Sequence, residues 1–284
     1  MGRSRDFATI ALAAMAVFGV VRCIEHTPPA VIPGEAPAPT EGLRVAANKM
    51  TLTVVYDNNR YAPDSRTDWG FACLIERGQT ALLFDTGGDP GILISNMSHL
   101  GLDSVHIDHI VLSHIHGDHT GGLNSVLNGE SNPLVWLPAS FPATFKDRLR
   151  SSTEVREIAE PTRVADGMFS TGELGSAIVE QSLVLESDLG LVLVTGCAHP
   201  GIVDIASRVR ELNSGELYLL LGGFHLGGKS RAELQHIAHQ LKELGVKKLA
   251  PCHCTGSEAM QFLAGEWGDD FVTCGVGRVI EVPL

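Results

Sequence analysis

Four apolar runs in this 284-residue chain each lead into a histidine. Ile110-Val111-Leu112-Ser113 leads to His114, and Leu191-Val192-Leu193-Val194 leads through Thr195-Gly196-Cys197-Ala198 to His199. Leu217 to Leu221 leads through Gly222-Gly223-Phe224 to His225, and Lys247 to Pro251 leads through Cys252 to His253. Short apolar runs of this kind read as strands, and the amphipathic stretches between them read as helices, so the chain is α/β. Ligands of α/β proteins gather outside the carboxyl ends of strands. A fold that sets these strands side by side collects four imidazoles at one edge, far apart though they are in sequence. Four together favour a metal site.

Strands are expected over 50–56, 70–76, 80–85, 107–113, 134–137, 191–195, 217–221, 247–250 and 276–282, and helices over 92–100, 119–127, 200–212, 231–244 and 257–267. The helix from Arg231 carries Leu234, Ile237, Ala238, Leu241 and Leu244 on one stripe, as packing onto a sheet requires. Pro200 is expected in the first turn of its helix, where a missing N–H costs nothing. The middle segment of the chain is expected to be irregular. Its Lys146, Arg148, Arg150, Arg156 and Arg163 are nearly balanced by Asp147, Glu154, Glu157 and Glu160, which points to a solvated surface.

The most specific run is Ser113-His114-Ile115-His116-Gly117-Asp118-His119. On an extended segment positions 114, 116 and 118 face one side. His119 joins them as the chain turns into a helix that Gly121-Gly122 lets approach closely. Neutral imidazoles with one carboxylate suit one or two divalent ions, with zinc foremost and iron or manganese accepted by the same donors. Structural zinc would more often be held by paired cysteines, so an open, catalytic site is expected. His236 and His239 lie off the apolar stripe of their helix and read as solvated. His99, His106 and His109 precede or begin a strand without acidic partners nearby and carry little weight.

Charge narrows the partners. Lys and Arg number 21 against 33 Asp and Glu, a net −12. The first 44 residues balance four bases against four acids, so the other 240 carry all of it. Nucleic-acid binding relies on neutralising phosphates with Lys and Arg, so no nucleic-acid partner is expected and a small-molecule substrate is. At 44% hydrophobic and 19% charged, the body can bury a full core.

The N-terminus reads as an address. Arg3 and Arg5 precede a charge-free stretch of 15 residues, Phe7 to Val21, short for a membrane-spanning helix. Residues 1–24 are thus expected to be a signal peptide or N-terminal anchor. Five of the 14 prolines fall between residues 28 and 39, marking 25–44 as a stiff linker. The body, 45–284, is expected to be exported: periplasmic, or tethered to a membrane and facing the extracytoplasmic side. Six cysteines at 23, 73, 197, 252, 254 and 274 resemble no small disulfide scaffold. Cys73 and Cys274, in strand-like runs, read as buried thiols.

The histidine run resembles the signature of the metallo-β-lactamase-fold hydrolases, in which H-x-H-x-D-H follows a central strand. A further histidine, an acidic residue and a last histidine follow in that order. The resemblance covers the chain from about residue 50 and implies a four-layer αβ/βα sandwich with metals at one edge. It implies His114, His116 and His199 as one metal site, and Asp118, His119 and His253 as the second. Leu82-Leu83-Phe84-Asp85-Thr86-Gly87 is similar to the family's first motif, and its Asp85 would orient a ligating histidine from behind. The family's bridging aspartate has no counterpart; His225 takes its place in the order, as a ligand of one metal or as a donor behind a ligand.

A finer resemblance is to the archaeal dihydropterin–ribofuranosylaminobenzene-phosphate synthases. It is carried by Trp69-Gly70-Phe71, by residues 195–201, by Gly222-Gly223-Phe224-His225-Leu226 and by His253-Cys254-Thr255-Gly256. The leading expectation is a metal-dependent hydrolase in which a metal-bound water, ligated and oriented by Asp118, attacks a small ester, lactone, amide or phosphoester. The alternatives are a pterin-type synthase forming a carbon–nitrogen bond, and a non-hydrolytic metal-binding or redox protein suggested by Cys252 and Cys254 flanking His253.

Overall fold

The computed structural model describes residues 48–129 and 131–284. The expected signal or anchor and the linker lie outside the described residues. Among the described residues no helix is long and apolar enough to cross a membrane.

In chain order the first half runs β1 (Lys49–Tyr56), β2 (Ala72–Arg77), β3 (Thr80–Phe84), α1 (Pro90–His99), β4 (His109–Val111), α2 (Gly117–Thr120), α3 (Leu123–Leu127), β5 (Leu134–Pro138), α4 (Ala143–Arg150) and β6 (Val155–Ile158). The second half runs β7 (Thr162–Ala165), β8 (Met168–Ser170), β9 (Leu183–Ser187), β10 (Gly190–Thr195), α5 (Ile202–Leu212), β11 (Leu217–Gly223), α6 (Arg231–Glu243), β12 (Lys248–Cys252), α7 (Ser257–Trp267) and β13 (Val279–Pro283). Two sheets result, ordered β13-β1-β2-β3-β4-β5-β6 and β12-β11-β10-β9-β8-β7.

Alternation along the strands explains the layering. In β10, Val192 and Val194 join Met50, Leu52 and Val54 of β1 in a core between the sheets, while Leu191 and Leu193 turn to α5, α6 and α7. Leu74, Leu83 and Ile110 of the first sheet pack outward on α1, α3 and α4. Strands covered on both faces read as continuous apolar runs, which is why they were legible. This is the four-layer αβ/βα sandwich expected from the resemblance. Pairing is parallel along β3-β4-β5-β6 and β10-β11-β12, so the carboxyl ends of β3, β4, β10, β11 and β12 can serve one site.

Three local expectations need correction. The segment expected to be irregular holds α4, β6, β7 and β8. Its charges do lie on the surface, pairing as Lys146–Glu157, Arg150–Asp147 and Arg156–Glu154. Residues 119–127 form two short helices broken at Gly121-Gly122, whose N–H groups both donate to the Gly87 carbonyl, and the second glycine passes so close to the Thr86 carbonyl that a Cβ would not fit. Finally, α5 begins at Ile202 behind Gly201, so Pro200 precedes the helix.

Candidate metal centre

Asp85 leaves β3 with φ +58° and turns its carboxylate, fully buried, under the run that follows β4. Its Oδ1 accepts from Ser113 N and its Oδ2 from Ser113 Oγ, both at 2.7 Å, and Oδ2 also accepts from His119 Nδ1 at 2.7 Å. Because the Ser113 hydroxyl donates to Asp85, it accepts from His114 Nδ1, 2.9 Å away. On the opposite side Asn58 Oδ1 accepts from His253 Nδ1 at 3.1 Å, and Asp57 Oδ2 accepts from the His253 backbone at 3.0 Å. The three buried rings are thereby held in the tautomer that leaves the Nε2 lone pair free for a metal.

Those lone pairs converge. His119 Nε2 and His253 Nε2 stand 3.2 Å apart, and Asp118 Oδ2 lies 3.6 and 3.4 Å from them. His114 Nε2 is 3.0 Å from His116 Nδ1, and His199 packs on both rings. Ligands of a tetrahedral ion at about 2.0–2.1 Å stand about 3.3 Å from one another, so these separations suit an ion between them. His199 Nε2 is buried with no hydrogen-bond partner, which a metal ion would supply. The donor sets His114–His116–His199 and Asp118–His119–His253 are the two groupings that the resemblance implied. His225 joins neither. It stands beside His199, ring centroids 4.5 Å apart, and groups instead with Cys197 and Cys254.

Electrostatics prepare the donors. Burial, and then the neighbouring imidazoles, drive His114 far below its ordinary value, and the same causes push His199 down to about 4. Both stay neutral and able to ligate across the physiological range. Burial opposes the charge of His119, but the Asp85 carboxylate outweighs it and raises the imidazole's affinity for a proton. For Asp118 burial acts upward, and the hydrogen bond with His253 together with the charge on His119 holds it far below the usual carboxylate range. Cys254 is lowered to about 4 by the neighbouring Cys197 thiol and by His225, whereas Cys197 is raised.

Several residues of the site were not assigned a role from sequence. Glu180, 1% exposed, accepts from four consecutive backbone N–H groups of the loop after β10: Gly196 at 3.1 Å and Cys197, Ala198 and His199 at 2.9 Å each. It fixes the loop that presents Cys197 and His199. Nothing local marks Glu180, since its partners lie some way along the chain in another strand's loop. Ser113 and Cys197 sat inside the quoted motifs, where adjacency to a histidine was the available signal. Trp69 is 56% exposed and lies with its ring centroid 4.8 Å from that of His253. Of the five non-glycine residues with positive φ among the described residues, Asp85, Ala198, His225 and His253 are here, a concentration of backbone strain typical of functional sites. Gly223 lets β11 pass the loops, since a Cβ there would meet Cys254 Sγ at 2.7 Å.

Elsewhere, His236 and His239 are exposed on α6, as expected. His106 does have an acidic neighbour, Asp108 at 4.0 Å, but on the surface. Cys73 and Cys274 are buried free thiols, and Cys252 lies with them in the core between the sheets. Only Cys254 of the pair flanking His253 therefore reaches the site.

The sequence pattern of the metallo-beta-lactamase superfamily matches residues 70–253. The 7,8-dihydropterin-6-methyl-4-(beta-D-ribofuranosyl)-aminobenzene-5'-phosphate synthase of Methanocaldococcus jannaschii is 27% identical, over 82% of this chain and 97% of its own. An uncharacterized protein of the same organism is also 27% identical, over 81% of this chain and 100% of its own. A solved metal-dependent hydrolase of the beta-lactamase superfamily superposes with a TM-score of 0.70 at 26% identity, covering 82% of this chain and 99% of that one.

Proposed function

The chain belongs to the metallo-β-lactamase superfamily, and from that premise we propose that this metalloenzyme is a synthase of pterin type, joining a pterin methyl carbon to an arylamine nitrogen. The observation that carries the reading is the 27% identity to the archaeal synthase along 97% of that protein. Divalent ions, zinc foremost, would supply Lewis acidity to an oxygen leaving group such as a phosphate or diphosphate. The carbon–nitrogen bond forms as the carbon–oxygen bond breaks, and the leaving group departs with the electron pair.

The chain's own residues position the reactants and move the proton. Trp69, exposed beside His253, offers a flat apolar face on which a heterocycle can stack. Asp118, held as a carboxylate and 22% exposed, is placed to accept the proton that the amine nitrogen loses. The net charge of −12 argues against a polynucleotide substrate.

The second reading is a hydrolase of small esters, lactones, amides or phosphoesters. It is supported by the likeness to the solved metal-dependent hydrolase, and by Asp118, which could equally take a proton from water. Both readings can be tested on one metal-loaded preparation. A dihydropterin bearing a phosphoryl leaving group is supplied with a ribofuranosyl-aminobenzene phosphate, and a hydrolase panel is run in parallel. A coupled product in the mass spectrum, lost on chelation, supports the synthase. Metal-dependent cleavage in the panel with no coupled product overturns it in favour of hydrolysis.

A further inference from the structure

Five cysteines lie among the described residues, and they divide by surroundings. Cys73, Cys252 and Cys274 belong to the apolar core between the sheets. Cys197 and Cys254 are also buried, at 4% and 8% exposure, yet belong to none of the three apolar clusters. Each follows the end of a parallel strand, and their sulfurs are turned toward imidazoles. Cys197 Sγ is 3.3 Å from His119 Nε2, and the two sulfurs and a His225 ring nitrogen lie within 4.8 Å of one another.

We propose that Cys197, His225 and Cys254 form a sulfur-containing metal site of their own for a thiophilic divalent ion, adjoining the histidine–carboxylate centre at the Cys197 sulfur. Donors around a tetrahedral zinc, at about 2.3 Å for sulfur and 2.0–2.1 Å for nitrogen, stand about 3.6–3.8 Å apart. The 4.8 Å bound is thus within about 1 Å of a closed site, a gap that side-chain rotation can close. The elements hold this geometry firmly. Glu180 fixes the loop carrying Cys197, and Gly223 brings β11 against Cys254. His225 is held at φ +50°.

Two thiolates and an imidazole suit a soft or borderline ion better than magnesium or calcium, which prefer oxygen. Three protein donors leave a fourth position, and His225, exposed, places it toward solvent. Cys197 also groups with His114 and His119, so its sulfur belongs to both neighbourhoods. The proposal does not depend on which reaction the centre performs.

The test is a titration of reduced, metal-stripped full-length protein with Co2+, followed by absorption. Wild type should develop a sulfur-to-cobalt charge-transfer band. Cys254→Ser should lose that band and one bound ion, weakening it by more than the roughly 10–100-fold typical of losing a partner behind a ligand. His116→Ala should damage the histidine centre and leave the band, so failure of the two sites is told apart. Cadmium NMR on the wild type gives an answer that no misfolded variant can obscure: a sulfur-ligated resonance is expected. A wild-type protein with no charge-transfer band at saturating Co2+, or a full band in Cys254→Ser, would overturn the proposal. So would cadmium bound to nitrogen and oxygen only, or a Cys197–Cys254 disulfide in the isolated protein.

Discussion

The two sheets supply the centre in different ways. From the first sheet come His114, His116, Asp118 and His119, contiguous in sequence. Two of these rings are aligned by one carboxylate, Asp85, directly or through Ser113. From the second come His199 and His253, each following a separate parallel strand, with His225 beside His199. There a carboxylate also does the fixing, but Glu180 grips backbone N–H groups and no ring. The first half is adjusted at the imidazoles; in the second the main chain is gripped, by Glu180 before His199 and by Asp57 at His253, and the His253 ring alone is also set, by Asn58. The difference teaches that contiguous ligands need tautomer and angle set, whereas ligands on separate strands first need their loops held in place.

The comparison breaks most readily at Glu180. Glu180→Ala would leave four buried N–H groups unpaired, each worth about 1–3 kcal/mol though not additive. The expected loss is at least about 3 kcal/mol of metal-free stability, read in urea. A loss under about 1 kcal/mol would show that the loop holds itself.

Asp85→Asn should act on the rings instead. Asparagine tolerates the positive φ, so the backbone is spared, but the acceptor shared by Ser113 and His119 is compromised. Metal affinity should fall about 10–100-fold with smaller damage to the fold, measured by competition against a chelator. If instead the fold collapses and affinity in the surviving protein is unchanged, the two carboxylates do the same job and the distinction fails.

The pH response should sharpen it. His199, on the second sheet, titrates near 4 in the folded protein, against about 6.5 when unfolded, and His114 lies lower still. As pH falls from about 6.5 toward 4 the unfolded chain takes up protons that these folded rings refuse, so metal-free stability falls. His119, on the first sheet, is raised and has the opposite sign: its contribution is present in acid and lost as pH rises through its folded value. Melting of the metal-free protein against pH should therefore decline on the acid side. A melting temperature independent of pH between 6.5 and 4 would contradict the assignment of neutral, buried His114 and His199.

The smallest effect is expected outside both sheets. We propose that residues 1–44 serve export or tethering, so protein starting at residue 45 should melt and bind metal as the full chain does. Full-length protein should appear in membrane or extracytoplasmic fractions. Recovery solely in the cytosol would refute export, and would place the protein where a biosynthetic synthase is more at home.

The sequence by itself determined the elements buried on both faces and the run Ser113–His119. A strand covered twice must be apolar throughout, and a metal half-site built from neighbouring residues leaves its spacing in plain view. Asp85 was reached through the likeness of Leu82–Gly87 to the family's first motif. Short strands such as β6, with Arg156 and Glu157 exposed at its middle, exist through pairing with a distant partner and carry too few apolar residues to announce themselves. Glu180 and the sulfurs of Cys197 and Cys254 were decided only by tertiary structure. What a carboxylate or a thiol faces depends on which loops the sheets bring within about 3 Å of it, and hydrogen bonds of that reach leave no periodicity along the chain.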